Sequence, residues 1–127
     1  MEPRPRSLAE VAARTLLGRS FEYELADFLH EFNLSGNAST LRDAPALLAE
    51  LSSAGSIHDA YLAAVAAALS SRIHVPAPNW TLRPERTLPQ PWFASPGRHM
   101  RALLLLESPA AFRERNLFVS ANALTVA

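Results

Sequence analysis

The order of apolar and polar positions divides the chain into helical stretches interrupted by one irregular segment. Ser7-Leu8-Ala9-Glu10 has the form of a capping box, in which a serine hydroxyl and a glutamate side chain satisfy free backbone donors at a helix start. A first helix is predicted from there, with Leu8, Val11, Ala12 and Leu16 inward and Gly18 as a left-handed stop. A second begins after Ser20, where Phe21, Leu25, Phe28, Leu29 and Phe32 recur at offsets of 0, 4, 7, 8 and 11. Glu22, Glu24, Asp27 and Glu31 take its other side, and the Asn33 to Ser39 stretch, with Gly36, ends it.

A short third helix is expected next, capped by Asp43 or Ala44, with Pro45 in its first turn, Leu47, Leu48 and Leu51 inward, and Gly55 closing it. Ser56 opens a fourth, which shows Ile57, Tyr61, Ala64, Val65, Ala68, Leu69 and Arg72 on one face; its alanines permit close helix approach. From Val75 to Gly97 the texture changes, because six of the ten prolines fall there. Proline removes a donor and fixes φ, so this stretch reads as extended or turn-rich. It also carries Trp80, Trp92 and Phe93, which a disordered linker lacks. An ordered strap pinned to the helical body by its aromatics is expected, the alternative being that they face a partner.

Ser95-Pro96 and Ser108-Pro109 each read as an N-cap followed by a first helical position, starting two C-terminal helices. The first carries Met100 and Leu103 to Leu106, four consecutive leucines expected to be buried nearly all round as a helix, the alternative being a short core strand. The second runs through Ala110 to Arg115, after which Leu117-Phe118-Val119 is an extended apolar segment that must dock, preferably on the chain's own core. Ser120 is placed to cap a final turn. The fold class this predicts is all-α: a single domain of five or six short helices with an ordered proline-rich strap at about 75–97.

Composition narrows the chemistry. A chain of 127 residues suits one domain, and 23 alanines and 20 leucines against four glycines favour helix. The absence of cysteine removes disulfide scaffolds, zinc ribbons, iron–sulfur clusters and thiol nucleophiles together. No apolar run approaches the roughly 20 residues that span a bilayer, and no unbroken apolar stretch follows Arg4 and Arg6 as a secretory signal requires. A cytoplasmic protein is therefore expected, and the sequons at Asn33, Asn37 and Asn79 carry no weight. Lysine is also missing, which excludes a Gly-x-x-x-x-Gly-Lys phosphate loop, and no Gly-x-Ser-x-Gly elbow occurs. No cofactor and no catalytic residue is assigned.

For metals, Asp27-x-x-His30 with Glu24 and Glu31 nearby is the densest donor set, but a di-iron bundle needs a second Glu-x-x-His motif and none is present. The set reads as a solvated acidic face, so no metal ligand is assigned; a metal-dependent helical enzyme using Asp27, His30 and Glu31 is the alternative. His58-Asp59 suits a helix start, and His74 and His99 have no patterned partners.

Net charge is zero, yet residues 1–75 hold six arginines and nine acids while residues 76–127 hold six arginines and three acids. The two halves are placed to pair with each other or with other molecules. Arginine beside tryptophan and phenylalanine is the composition of interface hot spots. The partner-binding candidates are Trp80, Trp92, Phe93, Arg98, Arg101, Arg113 and Arg115. A DNA-binding regulator acting through the arginine-rich half is a further alternative, but no helix-turn-helix signature accompanies it and nucleic acid is not expected to bind the chain alone.

The string from Arg101 to Leu124, with its Ser-Pro-x-x-Phe-Arg-x-Arg-Asn core at Ser108 to Asn116, is preceded by Pro91-Trp92-Phe93 and by Asp59-Ala60-Tyr61-Leu62. In these residues the chain resembles a family of small uncharacterised bacterial proteins whose genes lie beside those of nucleotidyltransferase-type toxins, mainly over residues 59–125. The resemblance implies an antitoxin-like role with a toxin as the protein partner, and implies no catalytic residue. A non-enzymatic protein-interaction module is the expected function.

Overall fold

In the computed structural model, which describes residues 3–95 and 97–124, helix accounts for 55% of the described residues and strand for 3%, so the protein is all-α. Ser7 caps α1 (Leu8–Leu16) by accepting from the Glu10 backbone N–H at 3.0 Å. Only half of the capping box forms, since the Glu10 carboxylate takes Arg14 at 2.7 Å. Leu8, Val11 and Ala12 are buried as expected, but Thr15 takes the fourth inward place and Leu16 is exposed. Ser20 caps α2 (Phe21–Ser35), whose five-residue apolar stripe is buried as the spacing predicts, and Gly36 ends it in the left-handed conformation at φ 60°. One acid departs from the solvated side: Glu24 is buried between α1 and α2, where Arg14 and Arg19 reach it at 3.4 and 3.5 Å.

The expected third helix does not form. A 3-10 turn at Ala38–Leu41 leads into irregular chain, in which Leu48 is buried while Leu47 and Leu51 stay exposed. The reason lies in where the backbone bonds go. The Leu48 N–H donates to the Asp59 carboxylate at 2.6 Å, and the Pro45 carbonyl accepts from the Arg86 guanidinium at 2.5 Å, so side chains from elsewhere take groups a helix would use. Gly55, expected to close that helix, instead opens α3 (Gly55–Arg72). Its position requires glycine, because a Cβ there would lie 1.8 Å from the Leu48 carbonyl oxygen.

α3 is the hub. Its buried residues run all round the helix, including Asp59, Ala60, every position from Leu62 to Ala66, Leu69 and Ser70, and Arg72 is exposed, so the single inward face read from the sequence is corrected. The alanines allow the strap and the C-terminal segments to close on it from several sides. His74 follows in the left-handed conformation at φ 59°, while the Val75 N–H returns to the Ser70 carbonyl at 3.0 Å and ends the helix.

The strap is ordered, as expected, through two 3-10 turns at Asn79–Leu82 and Pro84–Arg86. It continues into β1 (Trp92–Phe93), which pairs in parallel with β2 (Leu117–Phe118) in the register Trp92↔Leu117 and Phe93↔Phe118. Between them lie α4 (Arg98–Glu107) and α5 (Ala110–Arg113). Gly97 rather than Ser95 stands at the cap of α4, and the Pro96 half of that expectation lies outside the described residues. Ser108 does not cap α5; its hydroxyl donates to the Leu104 carbonyl and accepts from the Val119 N–H at 2.8 Å, which ties the end of α4 to the docked tail. Phe112, Leu117 and Val119 are buried in the chain's own core, and half-buried Phe118 stacks on Phe93 at 4.9 Å.

The four leucines give the largest correction. α4 is a helix, but only Leu104 is buried, while Met100, Leu103, Leu105 and Leu106 are exposed, Leu106 by 81%.

Candidate functional site

Three places hold side chains whose chemistry exceeds simple packing. The first is a buried node between α3 and the strap. The Arg86 guanidinium donates to the Asp59 carbonyl at 3.2 Å and to Pro45, lies 3.9 Å from the Asp59 carboxylate, and covers the Trp80 ring at 4.9 Å. Trp80 in turn donates its indole N–H to the Leu41 carbonyl at 3.0 Å. Burial pulls the Arg86 pKa down and pushes the Asp59 carboxyl up, each against the attraction of the other. The node locks the strap and the irregular 42–54 stretch to α3, and sequence reasoning missed it. The one available signal was an arginine in a strap otherwise held by aromatics.

The second is a cleft of about 820 Å³ between the first halves of α2 and α3, lined by Leu25, Leu29, Ile57 and Trp92 together with Glu22 and His58. The His58 ring stacks on Phe21 at 3.9 Å, and its Nε2 lies 3.7 Å from the Glu22 carboxylate. Burial lowers the His58 pKa, outweighing the pull of Glu22 and Asp59, so the ring is mainly neutral at pH 7. Among the described residues no three His or acidic side chains gather as a metal site would require. Asp27 and Glu31, two of the three residues of the metal alternative, are both engaged by Arg4, at 3.8 and 2.7 Å, and His30 is exposed.

The third is the outer surface formed by α4 and its surroundings, where the partner-binding candidates divide. Trp80 and Arg115 do not belong to it. Both are buried, and Arg115 donates to the Ala111 and Thr81 carbonyls at 2.8 and 3.1 Å. Their polar ends serve carbonyls inside the fold, those of Leu41, Ala111 and Thr81. Trp92 and Phe93 are half-buried on β1, and Arg98, Arg101 and Arg113 are exposed. Arg101 lies over the Phe93 ring at 5.3 Å, so one arginine and one aromatic of the set meet. To these the structure adds the leucines of α4, which sequence reasoning had assigned to the core.

Comparison with protein-family models, curated proteins and solved structures finds no match to the chain. No helix among the described residues is long and apolar enough to cross a membrane.

Proposed function

We propose that the chain is a non-enzymatic protein-interaction module of the cytoplasm that acts as the antitoxin-like, neutralising partner of a bacterial toxin. The observation that carries the interaction reading is α4: a ten-residue helix with one buried residue and four large apolar side chains exposed. A surface helix of this kind leaves unfavourable apolar area in water unless another protein covers it. Arg98 and Arg101 beside the leucines, and Arg113 on α5, suit a partner with an apolar groove and acidic residues around it. The toxin identity of that partner rests on the resemblance in residues 59–125.

Co-expression with the product of the adjacent gene tests both parts. Wild-type protein is expected to co-purify with it, and Leu106→Asp, which places a charge at the most exposed leucine, is expected to lose it. Failure of the wild-type pair to co-purify overturns the toxin assignment, and retention by Leu106→Asp overturns the role of α4.

A further inference from the structure

The cleft between α2 and α3 has a charge as well as a shape. Glu22, Leu25, Ala26 and Leu29 line it from α2, and Ala54, Ile57, His58 and Tyr61 line it from the start of α3. Each set follows the i, i+3, i+4, i+7 spacing of one helical stripe, so two stripes face each other across the opening. The small side chains of Ala26 and Ala54 keep them from filling it, and Trp92 of β1 and Val119 complete the wall. At about 820 Å³ the cleft falls in the size range of small-molecule sites, about 300 to 1,000 Å³, and it shares their make-up of apolar walls with a few polar groups.

The polar groups select the sign of an occupant. Glu22 is the one carboxylate among the lining residues, and no arginine lines the cleft. One of its oxygens lies 3.7 Å from His58 Nε2, and the other accepts from the Ser20 hydroxyl at 3.4 Å. Both contacts are long and the side chain is 80% exposed, so lone pairs remain for a charged donor. Burial keeps His58 mainly neutral at pH 7, so it supplies no countercharge. Half-buried Tyr61 adds a hydroxyl that has no hydrogen-bond partner among the described residues, its pKa raised by burial alone. A cation with an apolar body matches both the carboxylate and the walls, whereas an anion of the same shape meets the like charge of Glu22. We propose that this cleft binds a small amphipathic amine, its ammonium group on the Glu22 carboxylate and its aryl or alkyl body among Leu25, Leu29, Ile57 and Trp92. The site stands apart from α4 and does not depend on the function assigned to that helix.

Tryptamine and indolepropionate carry the same indole body on the same short arm and end in opposite charges, which makes them the probe pair. In an NMR titration of the isotope-labelled full chain, tryptamine is expected to give saturable shifts with a dissociation constant of about 0.1 to 1 mM, as suits a ligand of that size. Indolepropionate is expected to bind about tenfold more weakly, a preference that the zero net charge of the chain does not itself create. Glu22→Gln is expected to weaken tryptamine about three- to fivefold, the loss suited to an exposed carboxylate, and to leave indolepropionate no weaker. Ala26→Trp, which brings a ring into the cleft from an exposed position, is expected to abolish tryptamine binding. Both variants are expected to keep the wild-type melting temperature. Absence of saturable shifts with tryptamine, equal affinity for the two probes, or tryptamine binding indifferent to Ala26→Trp overturns the site. Glu22→Gln weakening both probes equally, or neither, overturns the pairing of the ammonium with Glu22.

Discussion

α3 takes its apolar character mainly from alanine and α4 from leucine, and ten of the eighteen residues of α3 are buried against one of the ten in α4. Side-chain size and the supply of neighbours account for the difference. The alanines of α3 keep its surface thin, so the strap and α5 pack onto it from different sides, and its buried Asp59 finds donors in Leu48 and Arg86. α4 carries bulky leucines on nearly every side but meets the body through Leu104 and Ser108 near β2, through Arg101 over Phe93 and through Glu107, which accepts from the Ala121 N–H. An apolar run therefore states a need for cover. Whether the same chain supplies it depends on the other elements, and here they close around α3 first.

The largest effect that sharpens the contrast is at the buried node. Arg86→Ala leaves the buried Asp59 carboxylate with the Leu48 N–H but without a countercharge, strands the Pro45 carbonyl and removes the cover of Trp80, and loss of one member of a buried charged pair costs about 3 to 5 kcal/mol. Chemical denaturation is the check; a loss below about 1 kcal/mol would mean that the node is solvated and the strap is held by its aromatics alone. Next comes the hub itself. Leu62→Ala, at a fully buried position of α3, is expected to cost about 2 to 5 kcal/mol in the same assay.

The sequence was most legible where the determinants are local. Ser7 and Ser20 cap their helices, the Phe21 to Phe32 stripe is buried, and Gly36 terminates α2, because each depends on residues within a few positions of one another. It was least legible where a distant side chain decides. The 42–54 segment has the pattern of a helix, but Asp59 and Arg86 claim its backbone groups from 11 and 41 residues away. The burial of Glu24 depends on Arg14 of α1 and Arg19 of the connection that precedes α2, and neither Trp80 nor Arg115 signals that its polar end is needed by a carbonyl of the strap or its neighbours. Arg98 and Arg101 were singled out from composition and share α4 with exposed leucines, which were misplaced because a run of four gives no direction.

A smaller effect comes from His58, which joins α2 to the start of α3. Its folded pKa lies below the ordinary 6.5, so between the two values the unfolded chain binds more protons. Its contribution to stability is complete above about 6.5 and is lost as pH falls through the window below it. Asp59 acts with the opposite sign, because its raised pKa makes ionisation above the ordinary 3.8 unfavourable to the fold. Thermal melts between about pH 7.5 and 5.5, compared between the wild type and His58→Gln, read the histidine, because Asp59 contributes equally to both. The melting temperature is expected to fall on acidification in the wild type and to fall less in His58→Gln. Equal slopes in the two proteins would assign the effect elsewhere.

The smallest expected change is the most direct attack on the contrast between the helices. Leu106→Ala removes the same atoms as Leu62→Ala, from a side chain of the same type. Yet Leu106 is 81% exposed and Leu62 is fully buried. In a dilute monomer the exposed leucine has no cavity to leave behind and little transfer energy to lose, while alanine has a slightly better helix propensity. The change is therefore expected to lie within about 0.5 kcal/mol of zero, as for surface substitutions in general. Denaturation at increasing protein concentration adds a second axis. Stability that rises with concentration in the wild type, and stays flat in Leu106→Ala, places the missing cover of α4 on another molecule. A loss near that of Leu62→Ala at low concentration would instead mean that α4 is covered by its own chain in solution, and the division between hub and open helix would not hold.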